Sequence, residues 1–262
     1  MKNPRSILIT GASSGIGEAL ALYYAAPGVF LALSGQNEER LANIATRCEQ
    51  KGASVDQAVM DVGDRAAMDD WVTEVDSMHP LDLVIANAGI SGGGGQVMEG
   101  EPTEQARRIF DVNLWGVINT IAPAIEQMKK RKRGQIAVMS SLAGFRGFPG
   151  APAYSASKGA VRYYGEALRG MLAPCGIAVN VICPGFIKSR MTARNNFPMP
   201  FLMETDKAAA LIAKQLQQNK GRIAFPWPMY LSVWFLSLLP DVIAQKCLNR
   251  LPAKGRIEEP VL

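Results

Sequence analysis

Short apolar runs alternate with longer segments of helical periodicity along most of the chain. The runs have the length of buried strands, and the segments between them are long enough to cross over a sheet. This alternation predicts a doubly wound α/β fold, with a mostly parallel, seven-stranded sheet and helices on both faces. The predicted strands are Ser6–Thr10, Val29–Ser34, Ser54–Met60, Leu81–Ala86, Gln135–Ser140, Ala178–Cys183 and Arg222–Phe225, and the predicted helices include Ile16–Ala26, Glu38–Lys51, Arg65–Ser77, Glu104–Lys132 and Ala153–Ala173.

We expect one domain over residues 1–262, because this length is near the upper limit for a single hydrophobic core. An apolar fraction of 48% and a charged fraction of 19% are typical of globular proteins. The last sixty or so residues depart from the alternation and are rich in Met, Phe, Trp and Pro. We interpret residues 186–250 as a substrate lid followed by an apolar C-terminal extension.

Charge, histidine and cysteine content narrow the functional classes. Part of the net charge of +5 lies in Lys129–Arg133, which we interpret as the cationic end of a helix because no aromatic residues interleave with it. The single histidine, His79, argues against a Ser-His-Asp hydrolase and a multi-histidine metal site. The four cysteines form no C-x-x-C pair, and Met1–Ser6 leaves no room for a signal peptide. We therefore expect a cytoplasmic protein with no metal and no nucleic-acid partner.

A glycine-rich turn, Thr10–Gly17, follows the first predicted strand and opens the first helix. Glycine allows the backbone to approach a ligand closely, and the positive end of a helix attracts a pyrophosphate. The spacing is G-x-x-x-G-x-G and not G-x-G-x-x-G, but its position after strand one favours dinucleotide binding. The candidate contact residues are Gly11, Ser13, Ser14, Gly15, Ile16 and Gly17.

The choice between the two nicotinamide dinucleotides depends on the end of the second strand. A carboxylate there would bind the ribose 2′-hydroxyl of NAD, but the chain has Ser34–Asn37, without an acid. Gln36 lies in this segment, and Arg40, a turn further into the helix, is the nearest cation. We expect NADP(H) to be preferred, with NAD(H) possible.

Tyr154 and Lys158 are four residues apart and therefore lie on one face of a helix. A tyrosine titrates near pKa ~10, so it needs a nearby positive charge to act as an acid and base at neutral pH. Ser141 ends the fifth strand, at the edge where a parallel sheet binds its ligand, and its hydroxyl can polarise a carbonyl. Asn113 lies inside a helical segment, where a buried amide needs a polar partner or an ordered water.

These residues resemble the short-chain dehydrogenase/reductase superfamily, in its compact single-domain branch with a Rossmann-type fold. The resemblance extends from residue 1 to about residue 190, and its motifs occur along the chain in the same order as in the family. The matching residues are Thr10–Gly17, Asp61-Val62, Asn87-Ala88-Gly89-Ile90, Asn113, Ser140-Ser141, Tyr154-x-x-x-Lys158 and Pro184-Gly185.

The resemblance implies an NAD(P)-dependent oxidoreductase with Tyr154 as the proton donor or acceptor. Lys158 would bind the nicotinamide ribose and lower the pKa of the tyrosine, Ser141 would be the catalytic serine, and Asn113 would hold a water that relays protons to Lys158. The resemblance also implies the residues that contact the cofactor. They are Asp61, Val62, Asn87, Ala88 and Gly89 at its adenine end, and Pro184, Gly185, Ile187 and Ser189 at its nicotinamide end.

Two features of the C-terminal region bear on partners. The lid contains Phe186, Phe197 and Met199 among other apolar residues, which suits a hydrophobic small-molecule substrate or ordinary core packing. No charged residue occurs from Ile223 to Pro240, yet prolines interrupt the segment, so it is too short to cross a bilayer. Residues 223–250 could form a subunit contact, a wall of the substrate pocket, or a peripheral membrane contact.

Three functional hypotheses follow. The first is an active enzyme that interconverts a hydrophobic ketone or aldehyde and its alcohol. The second is a catalytically silent dinucleotide sensor or scaffold that acts through its apolar C-terminal segment, and the third is an extended-branch epimerase or dehydratase. The complete set of Ser141, Tyr154, Lys158 and Asn113 favours the first. The resemblance also implies a homodimer or homotetramer built on the helices that carry Asn113 and Tyr154.

Overall fold

A computed structural model describes residues 3–93, 100–250 and 255 of the chain. Its seven strands form one parallel sheet in the order β3-β2-β1-β4-β5-β6-β7. The order reverses direction beside β1, so the crevice at the carboxyl ends of β1 and β4 is the expected ligand site of this Rossmann-type fold. The strands are β1 Ser6–Thr10, β2 Phe30–Gly35, β3 Ser54–Val59, β4 Leu83–Ala86, β5 Gly134–Met139, β6 Ile177–Pro184 and β7 Arg222–Phe225.

Helices cover both faces of the sheet. Ile7 and Ile9 of β1 lie in one apolar cluster and Leu8 lies in the other, because successive strand residues point to opposite faces. This explains why β1 is apolar at every inner position. The helices are α1 Gly15–Tyr24, α2 Glu38–Gln50, α3 Arg65–Met78, α4 Thr103–Phe110, α5 Gly116–Arg131, α6 Pro152–Leu172, α7 Arg190–Ala193, α8 Thr205–Gln217, α9 Trp227–Leu238 and α10 Asp241–Leu248.

The single helix predicted over Glu104–Lys132 is divided. A π-helical turn, Asp111–Trp115, separates α4 from α5. Gly116, which follows this turn, lies so close to Val62 that a Cβ atom would be 2.4 Å from Val62 Cγ2. The widened turn directs Asn113 into the interior, where it is fully buried.

The departure from the alternation begins later than expected. Helix α8 precedes β7, which lies at Arg222–Phe225 as predicted, so the alternation continues to Phe225. The inner face of α8 consists largely of small residues and buries Ala208 and Ile212 against the same cluster as Ile7. In the described part of the chain, α9 and α10 follow this last strand. In the described part of the chain, no helix has both the length and the hydrophobicity that crossing a bilayer requires.

The cationic run at the end of α5 contributes ion pairs within the fold. Arg131 makes two hydrogen bonds to the buried carboxylate of Asp76, at 2.6 and 2.7 Å, and Arg133 pairs with Asp82. The glycine loop predicted at Ser91–Gly95 is irregular over residues 91–93, and residues 94 and 95 lie outside the described part.

Candidate active site

The glycine-rich turn connects β1 to α1 with two left-handed residues, Gly11 at φ +66° and Gly15 at φ +60°. A Cβ atom on Gly17 would lie 2.2 Å from the Gly11 carbonyl oxygen, so this position requires glycine. Ser14 precedes α1, and its side chain makes no capping hydrogen bond in the described structure. The N-terminus of α1 is thus left for an external acceptor, as a pyrophosphate site requires.

Asn87 links this turn to the end of β4 by hydrogen bonds. Its side-chain amide donates to the carbonyl oxygens of Thr10 and Gly11, at 3.0 and 3.2 Å. In return, the Thr10 hydroxyl accepts hydrogen bonds from the backbone N–H groups of Asn87 and Ala88. Asn87 therefore shapes the turn itself, in addition to bordering the predicted adenine pocket.

The edge around β2 and β3 holds the predicted adenosine-end residues. A Cβ atom on Gly35 would lie 2.9 Å from Ser13 Oγ, so the end of β2 and the turn are in close contact. The Asp61 carboxylate accepts from Gly63 N at 2.9 Å and pairs with Arg108 at 2.7 Å. Val62 is buried against Gly116.

Arg40 lies at the first turn of α2. Its Nε atom is buried and has no hydrogen-bond partner among the described residues. Burial lowers the pKa of Arg40, and the nearby cation Arg190 lowers it further. Arg190, from a distant part of the chain, is therefore close enough to act electrostatically on Arg40 at the edge where residues 34–37 contain no carboxylate. Arg190 was not predicted, because its position in the fold has no local sequence signal.

Tyr154 and Lys158 lie in the first two turns of α6. Lys158 is 3% exposed, and its ammonium donates to the Met139 carbonyl at 2.9 Å and lies 6.0 Å from the centre of the Tyr154 ring. Burial lowers the pKa of Lys158 to about 8. Burial also raises the pKa of Tyr154, and a hydrogen bond with Ser141 opposes that rise. The tyrosine is therefore protonated at neutral pH, and a largely cationic lysine stands beside it.

Ser141 is held directly after β5. Its hydroxyl oxygen accepts from Ala143 N at 3.1 Å, and its hydroxyl lies 3.4 Å from the Pro184 carbonyl. Together with the hydrogen bond to Tyr154, these contacts bring the predicted serine and tyrosine to one point of the crevice.

Asn113 fixes the segment that follows β4. Its amide donates to the Ile90 carbonyl at 3.0 Å and to Ser157 Oγ at 3.1 Å, while its Oδ1 atom accepts from Ile90 N at 2.8 Å. A Cβ atom on Gly89 would be 3.1 Å from both Asn113 Oδ1 and Lys158 Nζ. Gly89 therefore lies close to both the amide and the ammonium, and a side chain at this position would crowd them.

The predicted nicotinamide-end residues form the entry to the lid. Gly185 N donates to the Phe225 carbonyl at 2.7 Å, and Ile187 pairs with Met203 in an isolated bridge. Ser189 caps α7, and its Cβ atom lies 3.4 Å from the position that a Cβ atom on Gly15 would have. The start of the lid therefore contacts the glycine-rich turn.

Three supporting contacts were not predicted. The Thr10 hydroxyl accepts from Asn87 N at the end of β4, Ser157 accepts from Asn113, and Glu101 accepts at 2.9 Å from Ala153 N at the start of α6. These contacts join residues 77, 44 and 52 positions apart, respectively. Thr10 belongs to the predicted turn, but no local sequence pattern could have indicated these contacts.

The residues of the crevice fit a nicotinamide dinucleotide. The uncapped start of α1 and the glycine turn suit the pyrophosphate, and the unpaired Nε of Arg40 suits an anion at the adenosine end. Ser141 follows β5, so β1 and β4 lie between it and the adenosine end at β2 and β3, and Tyr154 and Lys158 lie on the same side as Ser141. Val62 is buried in the core.

Comparison with known proteins identifies the class. Residues 5–199 match the family model described as short chain dehydrogenase. An uncharacterized oxidoreductase of Myxococcus xanthus is 39% identical over 248 residues, which cover 94% of this chain and 97% of the relative.

Two solved structures share the fold. A short-chain dehydrogenase from Sphingobium yanoikuyae in complex with NADPH superposes with a TM-score of 0.78 at 24% identity, covering 97% of this chain and 98% of that one. NAD+-bound xylitol dehydrogenase superposes with a TM-score of 0.75 at 25% identity, covering 84% of this chain and 97% of that one.

The chain belongs to the short-chain dehydrogenase/reductase family, in its compact single-domain form. Within that family it is an NAD(P)-dependent oxidoreductase, and the scaffold hypothesis is not favoured.

Proposed function

We propose that this enzyme transfers hydride between a nicotinamide cofactor and a hydrophobic ketone, aldehyde or secondary alcohol, with Tyr154 as general acid and base. The observation that carries the proposal is the hydrogen bond between Ser141 and Tyr154 beside the buried Lys158 ammonium. The bound cofactor supplies or accepts the hydride. Tyr154 donates its proton to the carbonyl oxygen during reduction and takes it back during oxidation.

Lys158 and Ser141 support this proton transfer in different ways. The Lys158 ammonium stabilises the phenolate that forms when Tyr154 gives up its proton. The Ser141 hydroxyl lies within hydrogen-bonding distance of the tyrosine and can also donate to the carbonyl oxygen of the substrate as negative charge develops there.

A water can complete the proton path. Asn113 and Lys158 both lie beside Gly89, which has no side chain to fill the region next to them. We propose that the relay water implied by the family resemblance binds near this glycine, between the amide and the ammonium. Asn113 is suited to hold it because its own orientation is fixed by Ile90 and Ser157.

The cofactor preference proposed here is NADP(H) over NAD(H). A 2′-phosphate carries negative charge, which the Arg40 and Arg190 side chains attract, and residues 34–37 contain no carboxylate to repel it. Gln36 can donate a hydrogen bond from its amide to either cofactor.

The apolar lid supports a hydrophobic substrate. Phe186 and Phe197 lie edge to face with ring centres 6.1 Å apart, and Phe201 and Leu202 are exposed on the same segment. Such side chains gain free energy by covering an apolar ligand. We further propose a cytoplasmic homodimer or homotetramer, with peripheral membrane contact through residues 223–250.

The test is a fluorescence titration of the purified enzyme with NADPH and NADH, followed by assays of medium-chain ketones and alcohols at 340 nm. We expect tighter binding of NADPH and turnover of apolar ketones. An Arg40→Ala variant should lose affinity for NADPH and keep its affinity for NADH. Failure to bind either cofactor, or turnover of polar substrates alone, would contradict the proposal.

A further inference from the structure

Helix α9 is apolar on both faces, and the fold covers only one of them. Met229, Tyr230 and Val233 turn inward and pack against the core, near the catalytic segment that follows Ser141. The opposite face is exposed, with Trp227 at 70% and Phe235 at 61%. The exposed residues follow helical spacing and form a continuous outer stripe: Trp227, Leu231, Trp234, Phe235 and Leu238.

An apolar stripe of this kind requires a covering partner in its working environment. A helix that is apolar all round belongs in a protein core or in contact with lipid. The stripe contains two tryptophans, the residue type enriched where a protein meets the boundary between lipid and water.

Helix α10 adds charge next to the outer stripe. Val242 and Ile243 are exposed, and Lys246 follows them at helical spacing on the same side. Arg250, also exposed, lies two residues beyond the end of the helix. From residue 227 to residue 250 the only acid is Asp241, and Arg146 pairs with it. The surface therefore presents apolar side chains beside two cations that no acid of this segment neutralises.

This charge pattern favours a lipid surface over a second copy of the chain as the partner that covers the outer stripe. In a symmetric contact with a second copy, Lys246 and Arg250 of both chains would come close together, and Asp241 is the only acid within residues 227–250 to offset them. An anionic lipid surface instead offers acyl chains to the outer stripe and negative headgroups to the cations.

We propose that α9 and α10 dock on the surface of an anionic lipid bilayer, with the outer stripe in the acyl boundary and Lys246 and Arg250 at the headgroups. The inference rests on the peripheral contact proposed above and not on the proposed reaction. Because α9 also packs against the segment after Ser141, docking would hold the catalytic side of the fold near the lipid.

The test measures binding of the full-length protein to sedimented vesicles. One vesicle type is phosphatidylcholine mixed with phosphatidylglycerol, and the other is phosphatidylcholine alone. The apolar variant carries Trp234→Ser with Phe235→Ser, and its matched control carries Tyr23→Ser with Met78→Ser, which are exposed elsewhere. The charge variant carries Lys246→Glu with Arg250→Glu, and its control carries Lys214→Glu with Lys220→Glu.

We expect stronger binding to the anionic vesicles, a loss of about tenfold or more in each test variant, and little change in either control. Circular dichroism checks that each variant is folded. NADPH affinity and turnover in solution are measured on the same samples, so that a failure of the proposed reaction can be distinguished from a failure of lipid binding. Absent vesicle binding, or equal losses in test and control variants, would overturn the proposal. Light scattering tests the other occupant. If the parent protein does not bind lipid and the apolar variant has half the particle mass of the parent, the outer stripe contacts a second copy, and the proposal is overturned.

Discussion

The pKa values of Tyr154 and Lys158 move in opposite directions for the same physical reason. Burial disfavours the charged form of each group, which raises the pKa of the phenol and lowers that of the ammonium to about 8. At neutral pH the tyrosine holds its proton and the lysine is largely charged. This is the protonation state that ketone reduction requires from an acid and its supporting cation.

The pH dependence of reduction follows from Lys158. Its cation is present below pH 8 and is lost as pH rises through its pKa of about 8. We expect kcat/KM for ketone reduction to be level near neutral pH and to fall by about tenfold per pH unit well above that pKa. Arginine stays charged over this range, so the residual activity of Lys158→Arg should lack this decline. The same decline in that variant would assign it to another group.

Gly89 tests the proposed relay beside Asn113 and Lys158. In Gly89→Ala, the new methyl group would lie 3.1 Å from Asn113 Oδ1 and from Lys158 Nζ, so both groups must shift and the proposed relay water loses its place between them. We expect kcat to fall by about tenfold to a hundredfold, a larger effect than any change in NADPH affinity. Gly147→Ala is the control, because a Cβ there meets nothing within 4 Å. Full turnover by Gly89→Ala would contradict the proposed relay beside this glycine.

At the scale of elements, the junction of β1 and α1 depends on two glycines in contact. A methyl group in Gly17→Ala would lie 2.2 Å from the Gly11 carbonyl and 2.6 Å from Asn87 Nδ2, so the turn must shift. We expect a loss of about 1–3 kcal/mol in urea unfolding and weaker NADPH binding. Gly170→Ala, in open space on α6, should instead stabilise by about 0.5–1 kcal/mol. Equal effects of the two substitutions would contradict this account of the turn.

The inner strands were predicted to within a few residues because burial on both faces leaves a continuous apolar signal, as in Ile7, Leu8 and Ile9. The π-helical turn at Asn113 could not be predicted. It depends on Ile90 and Val62, which reach it across the fold, and α4 and α5 share one helical periodicity on either side. Helix α8 was missed because its core-facing side consists largely of alanine, which gives a weak apolar pattern.

At the scale of the whole molecule, the topology follows from the alternation, because parallel strands need helical crossovers of one hand. The proposed catalytic residues were predicted from spacing together with the resemblance, since Tyr154 and Lys158 share one helix and Ser141 ends a strand. The nearness of Arg190 to Arg40 was not predicted, because α2 and α7 approach each other only in the folded chain.

Assembly is expected to use the outer side of α6 and the π-helical turn. Trp115, Tyr163 and Met171 are exposed there, and a groove of about 570 Å³ lies beside Tyr163. We expect Tyr163→Glu to reduce the particle mass in sedimentation, because a carboxylate would be buried in the contact. Tyr23→Glu, exposed on α1, should leave the mass unchanged. A monomeric parent protein would contradict the proposed oligomer.

The central claim is that Tyr154 supplies the proton that accompanies hydride transfer. The most direct measurement is single-turnover reduction of a ketone substrate by the Tyr154→Phe variant saturated with NADPH, compared with the parent enzyme. The account predicts an unchanged Kd for NADPH and a rate lower by about a hundredfold to ten-thousandfold, because phenylalanine keeps the ring and removes the acid. A variant that binds NADPH and reduces the ketone at the parent rate would contradict it.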